Sequence, residues 1–558
     1  MRERTYPVSD SRRRRTETEY SEGHMNPGAP ETGLAEPHLA EVLTTVSLDV
    51  EYVRAAGNHL FRLDDNGREV PVLDFVGGFG SVLLGHNDPE IVTYARKLLD
   101  NQLPIHAQFS RASHANRLAA ALNEILQREH GDDERYFAIF ANSGAEAIEA
   151  AIKHAELGRT LRVAALTGEI EANVEAARAL VRAGQAVVAD SAFDRAGVRE
   201  RPQGPGARFD ALVAGIERHN ARRLSAPPLF LAPEGAFHGK LMGSVQLTHN
   251  EAFRVPFRAL AAQTRFIPLG QPEAIQKTVD AERGVLYDVV VVDGAVTVVD
   301  RDFPVFCAFV LEPLQGEGGI HEVPPEFARE VRRVCDAIGC PVVVDEIQSG
   351  MGRTGSFLAA PAVGLRGDYY TLAKSLGGGV AKTSVALIRE SHYHKEFELV
   401  HSSTFAKDGF SSLVALKVLE LLEADGGALY RRAGELGRKL LAALEAVRAE
   451  FPDVIKDVRG RGLMLGVEFH DRSDAGAPAI RDLARSGFLG YAVAGYLLRE
   501  HSVRLFPTGS AVNTLRLEPS VRLTDDGIEQ LRTALRGVCS VLRDEDGQRF
   551  LGGGPATS

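Results

Sequence analysis

Short, wholly apolar segments that end on charged residues stand out in this sequence. Residues 342–344 are all valine, the pattern of a strand that is buried on both faces of a parallel sheet. The run ends on Asp345 and Glu346, and open parallel sheets bind their ligands beyond the carboxyl ends of the strands. A second apolar segment, residues 370–373, leads directly to Lys374 and a glycine-rich turn. We expect both charged ends to face one binding crevice.

The remaining pattern predicts alternating strands and helices. Residues 39–85 predict a helix followed by short strands, with a tight hairpin turn at 64–67. Residues 136–140 predict a strand, and Ser143 is a good N-cap for a helix that we expect to run to about Leu157. Further predictions are helical segments at 169–183, 208–223, 413–422, 429–451 and 524–543, and a hairpin at 289–299.

Composition excludes several classes of function. The chain has 558 residues, which exceeds one compact core, so we expect two or more domains. A net charge of -11 argues against nucleic acid as a partner, and no apolar run approaches the ~20 residues of a membrane helix. The four cysteines show neither a metal-ligand spacing nor a disulfide framework, so we predict no metal and a cytoplasmic location.

Asp345 and Lys374 are the two groups that pyridoxal 5'-phosphate (PLP) chemistry requires. A buried lysine loses its proton more easily and becomes a nucleophile, which can hold the cofactor's aldehyde as a Schiff base. A carboxylate against the pyridine nitrogen keeps the ring protonated, so that it accepts the electrons of a carbanion. The turn at Ser143, Gly144 and Ala145 adds free backbone N–H groups, which form a ready anion site.

Two motifs make a resemblance specific. The sequence DEIQSGMGRTG, residues 345–355, is followed by TLAKSLGGG, residues 371–379, and the pair resembles the class III aminotransferases. That family is the ornithine, acetylornithine and ω-amino acid branch of the fold-type I PLP enzymes. The resemblance covers about residues 40–543 apart from insertions. It implies an aspartate aminotransferase-like α/β fold, with a large domain around a mostly parallel seven-stranded sheet and a small α/β domain.

The resemblance also implies the division of the chain. The small domain takes residues from both ends of the sequence, and the large domain binds PLP. The expected parts are a disordered leader (1–30), the N-terminal segment of the small domain (31–95), the large domain (96–400), the C-terminal part of the small domain (401–545) and a disordered tail (546–558).

Individual residues receive roles from the resemblance. Catalysis falls to Lys374, supported by Asp345. Thr404 reaches the phosphate of the neighbouring subunit's cofactor, which implies a homodimer with a shared active site. The other residues implied to hold the cofactor are Ser143, Gly144 and Ala145 at its phosphate, Phe237 on the ring face with His238 beside it, Glu312 near the ring, and Gln348 at the ring hydroxyl.

Three further residues are implied to bind substrate. Arg516, in the segment NTLRLEP, matches the arginine that binds the substrate α-carboxylate, and Glu317 is its partner when substrate is absent. Lys240 stands where an arginine is usual. Because lysine cannot bind a carboxylate in the bidentate manner of arginine, glutamate or 2-oxoglutarate is less securely implied.

An insertion of roughly sixty residues, at about 158–228, departs from the family pattern and far exceeds an ordinary connection. It could cover the active site, add to a subunit contact, dock a protein or simply decorate the surface.

The sequence therefore predicts an aminotransferase that moves an amino group between an amino acid or amine donor and a keto acid or aldehyde, in specialised metabolism. Two alternatives stay open. The same fold catalyses β- or γ-elimination, replacement with carbon–carbon bond formation, or racemisation, and the insertion could hold a bulky co-substrate. The third possibility is a scaffold without turnover, which the intact Lys374 and Asp345 disfavour.

Overall fold

The computed structural model describes residues 37–106, 110–260 and 263–552. The predicted leader, residues 1–30, lies outside the described residues. The strands are β1 (Arg54–Ala56), β2 (His59–Leu63), β3 (Glu69–Asp74), β4 (Tyr136–Ala141), β5 (Val187–Val188), β6 (Leu229–Pro233), β7 (Gln263–Ile267), β8 (Gly284–Val292), β9 (Ala295–Phe303), β10 (Phe306–Leu311), β11 (Leu314–Gln315), β12 (His321–Glu322), β13 (Val342–Asp345), β14 (Tyr369–Leu372), β15 (Ser384–Arg389), β16 (Ile455–Arg461), β17 (Met464–Phe469), β18 (Val503–Arg504), β19 (Phe506–Pro507) and β20 (Thr514–Leu517).

Helices cover the sheets and connect them. The helices are α1 (Pro37–Thr45), α2 (Gly77–Gly80), α3 (Pro89–Asp100), α4 (Ser113–His130), α5 (Gly144–Arg182), α6 (Asp190–Arg195), α7 (Pro205–Leu224), α8 (Glu251–Arg254), α9 (Glu273–Glu282), α10 (Pro325–Ile338), α11 (Phe397–Val400), α12 (Gly409–Glu450), α13 (Pro478–Arg485), α14 (Leu489–His501), α15 (Asp525–Arg543) and α16 (Gly547–Leu551). The backbone of α12 leaves helical geometry at residues 424–427, which separates the two helices predicted there.

The largest sheet has seven strands, in the order β4-β15-β14-β13-β10-β6-β7. Parallel pairs join β14 to β13, β13 to β10, β10 to β6 and β6 to β7, whereas β15 runs antiparallel to both of its neighbours. Every residue of β13 is buried, as expected for a strand that is covered by helices on both faces. The predicted mostly parallel seven-stranded sheet is confirmed.

Both ends of the chain contribute to the smaller sheets. One sheet has the order β1-β2-β3-β18, in which β18 near the C-terminus pairs in parallel with β3 near the N-terminus. The predicted hairpin turn at 64–67 joins β2 to β3, and Asp64 Oδ1 accepts hydrogen bonds from the N–H groups of Asn66 and Arg68. A second sheet, β16-β17-β20-β19, carries Arg516 on β20. The predicted domain boundaries themselves stay a prediction.

Helix α5 is longer than the sequence analysis predicted. It was expected to end at about Leu157, but it continues without a break to Arg182. The segment after Gly158 contains no proline and is rich in alanine, leucine and glutamate, so its helix propensity offsets the cost of about 1 kcal/mol for each of the two internal glycines, Gly158 and Gly168. Gly158 also packs tightly: a Cβ there would lie 2.8 Å from Nε2 of His394.

The predicted insertion and the predicted hairpin form one unit. The hairpin is confirmed and extends over β8 and β9, which form the three-stranded sheet β5-β9-β8. The second half of α5 and helix α7 pack on β8, and α6 packs on β9, around a hydrophobic core of their own. We call residues 158–228 and 284–303 the accessory module.

We expect Phe193→Ala to destabilise the accessory module by about 3–5 kcal/mol, since the Phe193 side chain is fully buried in its core. Hydrogen exchange followed by mass spectrometry should show lost protection in α6 and α7. The matched control is Val187→Ala, because Val187 is 63% exposed and its truncation should change stability by less than about 0.5 kcal/mol. Equal effects of the two substitutions would contradict a separate core.

The predicted disordered tail is wrong for residues 547–551. They form α16, whose Phe550 is 1% exposed and lies with its ring 6.3 Å from that of Tyr496. Burial of one large aromatic side chain is enough to hold this short helix against α14 and α15. Residues 553–558 of the predicted tail lie outside the described residues.

Candidate active site

Lys374 and Asp345 lie at the ends of neighbouring strands. Asp345 is the last residue of β13 and pairs in register with Thr371 of β14, and Lys374 follows β14 after one residue. Lys374 has a φ of 48°, in the left-handed region that non-glycine residues rarely adopt. Such strain concentrates at functional sites, where the surrounding structure holds it. The two strand ends therefore meet at the carboxyl edge of the sheet, as the sequence predicts.

The amine of Lys374 lies in a charged but largely dehydrated environment. Burial lowers the pKa of Lys374 below its ordinary value, because it penalises the ammonium form. The negative charges of Glu518 and Glu317 oppose this shift. A lysine with a lowered pKa is a better nucleophile and a better base near neutral pH.

Asp345 is bound to a buried histidine. Its Oδ2 lies 2.7 Å from Nδ1 of His238, and its Oδ1 accepts hydrogen bonds from the Thr371 hydroxyl at 3.2 Å and the Ile347 N–H at 3.1 Å. Burial disfavours a charged imidazole, but the hydrogen bond and charge of Asp345 outweigh it and raise the pKa of His238. The side chains of His238 and Asp345 are 0% and 5% exposed, so their charges are held in a site closed to water.

Glu312 holds the loop that carries the predicted ring-stacking residue. Its Oε1 accepts from the N–H of Phe237 at 3.0 Å, and its Oε2 accepts from the N–H of Gly316 at 2.9 Å. Burial raises the pKa of Glu312 to about 7, while the positive charge of His238 opposes the shift. The ring of Phe237 is only partly buried and stands edge-on to Phe253, at 6.3 Å and 79°.

The turn before α5 lies against the same edge of the sheet. Ser143 is the N-cap of α5, and its hydroxyl accepts from the N–H of Glu146 at 3.3 Å. A Cβ on Gly144 would lie 2.9 Å from the Ile347 side chain, and one on Gly239 would lie 2.7 Å from Ala145. Close packing therefore brings the free N–H groups of a first helical turn next to Asp345 and His238.

Arg516 and Glu317 form a buried ion pair. Each terminal nitrogen of Arg516 donates to one carboxylate oxygen of Glu317, which is the bidentate geometry of strong arginine–carboxylate pairs. Glu317 also accepts from the N–H of Gly509 at 2.6 Å, and Arg516 donates to the Pro507 carbonyl at 3.1 Å. Burial alone would raise the pKa of Glu317, but the charge of Arg516 outweighs it and lowers the pKa. Arg516 is 1% exposed.

Comparison with known proteins identifies the family of the chain. The model of the family "Aminotransferase class-III" matches residues 44–538. The chain belongs to the class-III aminotransferase family. It is accordingly a PLP-dependent aminotransferase, and its reactants are a small-molecule amino donor and a carbonyl acceptor.

Solved structures agree with this family at the level of the fold. An ornithine aminotransferase from Toxoplasma gondii is 20% identical, with 89% of this chain and 92% of that chain covered and a TM-score of 0.61. An amine transaminase from an uncultivated Pseudomonas species, in PLP-bound form, is 20% identical, covers 92% and 98%, and has a TM-score of 0.62. An omega transaminase from Pseudomonas jessenii is 18% identical, covers 91% and 94%, and has a TM-score of 0.63. These structures confirm fold type I.

The residues of this aminotransferase fit PLP. The α5 turn offers N–H donors for a phosphate, Asp345 offers a carboxylate, and Lys374 supplies a partly buried amine at the end of the neighbouring strand. Gly144 and Gly239 let Ile347 and Ala145 pack closely at this turn, which holds the N–H donors near Asp345. Within the part of the chain that the structure describes, no three histidine, cysteine or acidic residues are grouped to hold a metal ion. Over the same residues, no helix has the length and hydrophobicity to span a membrane.

Two predicted residues lie at the margin of this site. Lys240 is exposed, and its Nζ lies 3.9 Å above the ring of Phe253, a cation–π contact. Thr404 is exposed on a segment that lies next to the α5 turn, since Asn142 donates to the Ser403 hydroxyl at 2.9 Å. The aminotransferase chain thus brings Thr404 near its own phosphate-type turn and leaves Lys240 outside the buried cluster.

Sequence analysis missed one buried acid in the site. Glu518 is 0% exposed and its Oε1 accepts from Nε2 of Gln348 at 2.7 Å. The available signal was its place in the segment NTLRLEP: an acid that closely follows a buried arginine in an otherwise apolar strand needs a partner inside the protein. Gln348 was predicted to bind the ring hydroxyl of the cofactor, and the structure adds this carboxylate partner.

Proposed function

We propose that the enzyme moves the amino group of an amino acid or amine donor to a keto acid or aldehyde, with Lys374 as the lysine that binds PLP. The observation that carries this proposal is the placement of Lys374, a partly buried lysine, near the buried carboxylate of Asp345 at one sheet edge. When bound, PLP accepts the electrons released as a C–H bond next to the amino group breaks. The residues that would hold it are Ser143, Gly144 and Ala145 at the phosphate, Phe237 at the ring face, Asp345 at the pyridine nitrogen with His238 and Glu312 behind it, and Gln348 at the ring hydroxyl.

Lys374 would act as the base and acid of the reaction. Its lowered pKa, caused by burial, favours the neutral amine, which is the form that can take the α-proton of the donor. The same amine then gives the proton back, which completes the transfer of the amino group. His238 shares the negative charge of Asp345 and holds its orientation, so that the carboxylate keeps one geometry throughout.

Arg516 and Glu317 would let the enzyme accept both substrates that carry an α-carboxylate and substrates that lack one. With an amino acid, Glu317 moves aside and Arg516 binds the α-carboxylate in bidentate fashion. With a simple amine, the pair stays closed and contributes no uncompensated charge to the buried site. Lys240, already placed over Phe253, is available to a second acidic group at the rim.

We expect Arg516→Ala to raise the KM of an α-amino acid donor on the order of tenfold to a hundredfold, because one charged hydrogen-bonded contact is lost. The kcat/KM of an amine without a carboxylate should change far less. Steady-state kinetics with both donors, compared with Lys277→Ala on the exposed face of α9, measures this difference. An equal loss for the two donors would contradict the assignment of Arg516 to the substrate carboxylate.

A homodimer with a shared active site is part of the proposal. A cavity of about 1060 Å³ opens between α4, β4 and residues 401–409, next to the segment that carries Thr404. Around it, large apolar side chains face outward, with Phe405 60% and Phe137 38% exposed. Exposed apolar surface beside a site of this kind supports a subunit contact. In that contact Thr404 would reach the partner's cofactor phosphate.

We also propose the compartment and the kind of metabolism in which the enzyme works. All four cysteines are free and buried, which supports a reducing cytoplasm. The accessory module, with its own core, supports a biosynthetic role in specialised metabolism, where an added surface can hold a second substrate.

Titration of the purified holoenzyme with a panel of donors, including glutamate, alanine, ornithine and simple amines, tests the proposal. We expect at least one donor to convert the visible absorbance to that of the amino form of the cofactor, with one keto or aldehyde product per site. An absorbance change without this conversion would contradict transamination and favour elimination, replacement or racemisation on the same fold.

A further inference from the structure

The buried carboxylate of Glu518 has one oxygen in use and one without a partner. Oε1 accepts a hydrogen bond of 2.7 Å from the amide nitrogen of Gln348. Oε2 is buried and finds no hydrogen-bond partner among the described residues. A buried carboxylate oxygen is costly to leave unpaired, so such an oxygen marks a place where a water, an ion or a bound group can supply the missing partner.

A buried arginine approaches this carboxylate without pairing to it. Arg353 donates hydrogen bonds to the backbone carbonyls of Leu463, Pro519 and Gly80, and it forms no ion pair within the described residues. A Cβ on Gly80 would lie 3.1 Å from Oε1 of Glu518 and 3.5 Å from Nε of Arg353. Glycine at this position therefore lets the carboxylate and the guanidinium share one small volume beneath the 77–80 turn.

The second cation near Glu518 is Lys374. The hydroxyl of the next residue, Ser375, donates to the Gly80 carbonyl at 2.7 Å, and a Cβ on Gly80 would lie 3.1 Å from Oε1 of Glu518. Four charged side chains act on its amine: Glu518, Glu317 and Asp345 favour the charged form, and Arg516 disfavours it. Glu317 and Asp345 are each bound to a cation of their own. Glu518 is the carboxylate with the largest effect on Lys374, and it carries an unused oxygen.

We propose that Glu518 is a positioning residue of the active site, which sets the charge of the Lys374 amine and the orientation of the Gln348 amide. The inference rests on the proposed role of Lys374. An amide nitrogen has two N–H donors, so the one that Glu518 does not accept stays free to donate to the ring hydroxyl of the cofactor. The carboxylate of Glu518 can only accept, so it fixes the nitrogen end of the Gln348 amide toward itself, while the amide packs closely on Gly316.

Glu518→Gln tests the charge alone, since glutamine keeps the shape and an acceptor oxygen. We expect the pH midpoint of the visible absorbance of the holoenzyme to fall by about one unit or more, because loss of a nearby negative charge disfavours the protonated form. In the cofactor-free full-length chain, competitive acetylation followed by peptide mass spectrometry should show Lys374 about tenfold more reactive near neutral pH. Lys277, exposed on α9, is the internal reference. Glu518→Asp, which keeps the charge, should stay close to the wild-type midpoint.

A lower melting temperature of Glu518→Gln with both Lys374 measurements unchanged would overturn the inference, because Glu518 would then only neutralise Arg353. A separate result would show that Lys374 does not bind PLP: the visible absorbance would be retained in Lys374→Ala. The acetylation experiment measures the Lys374 amine without the cofactor, so it tests the effect of Glu518 independently of that assignment.

Discussion

Lys374→Ala is expected to remove the visible absorbance of the bound cofactor and to slow amino transfer by at least about a thousandfold. The substitution deletes the only atom of the side chain that can both attach to the cofactor aldehyde and carry the proton of the reaction. The left-handed backbone at this position, with φ of 48°, is already strained, and alanine adopts it no more easily than lysine. Absorption spectra after reconstitution with PLP and single-turnover rates measure the two effects.

The matched control is Lys277→Ala, which removes an exposed lysine on α9 and should leave the spectrum and the rate unchanged. Added methylamine should restore part of the rate of Lys374→Ala, because it can replace the missing amine in the emptied volume. An unchanged yellow chromophore in Lys374→Ala would contradict the assignment of Lys374 as the lysine that binds PLP.

Asp345→Asn is the second large expected effect: the rate of amino transfer should fall on the order of a hundredfold or more. Asparagine keeps the size of the side chain but cannot hold a positive charge at the pyridine nitrogen. The substitution also leaves the buried His238 without its counter-charge, and removal of one partner of a buried pair costs about 3 kcal/mol of the free energy of unfolding. Single-turnover rates and thermal unfolding measure these losses.

The stability loss in Asp345→Asn should depend on pH. The pKa of His238 is raised in the folded protein, so its pairing contributes fully below the unfolded value of about 6.5 and is lost as pH rises through the folded value. The difference in melting temperature between wild type and Asp345→Asn should therefore be largest below about pH 6.5 and should shrink as the pH rises through the raised pKa of His238. Asp336→Asn, at a side chain that is 63% exposed, should show little effect across the same pH range. A difference that is independent of pH would contradict a charged His238–Asp345 pair.

Local patterns were enough to predict the elements that position the site. The apolar strand that ends on Asp345, the N-cap at Ser143 and the turn after Lys374 are encoded within a few residues each, because strand burial and helix capping depend on near neighbours. The ion pair of Arg516 with Glu317 spans 199 positions, and it was expected only through the family resemblance.

Features that depend on distant contacts were not predictable in the same way. The sequence showed two separate elaborations, and the pairing of β5 with β9 and their shared hydrophobic core show that they form one module. The length of α5 was underestimated because Gly158 resembles a helix end, whereas inside the helix it lets the His394 side chain pack closely. Glu518 was missed because nothing near it in sequence shows that Gln348, 170 positions away, is its partner.

Reduction of the holoenzyme with sodium borohydride, followed by peptide mass spectrometry, tests the central claim most directly. Borohydride fixes the cofactor to whichever lysine holds it. The structure predicts the added cofactor mass on the peptide that contains Lys374, in stoichiometric amount. The same mass on a peptide without Lys374, or its absence from a PLP-saturated protein, would contradict the account.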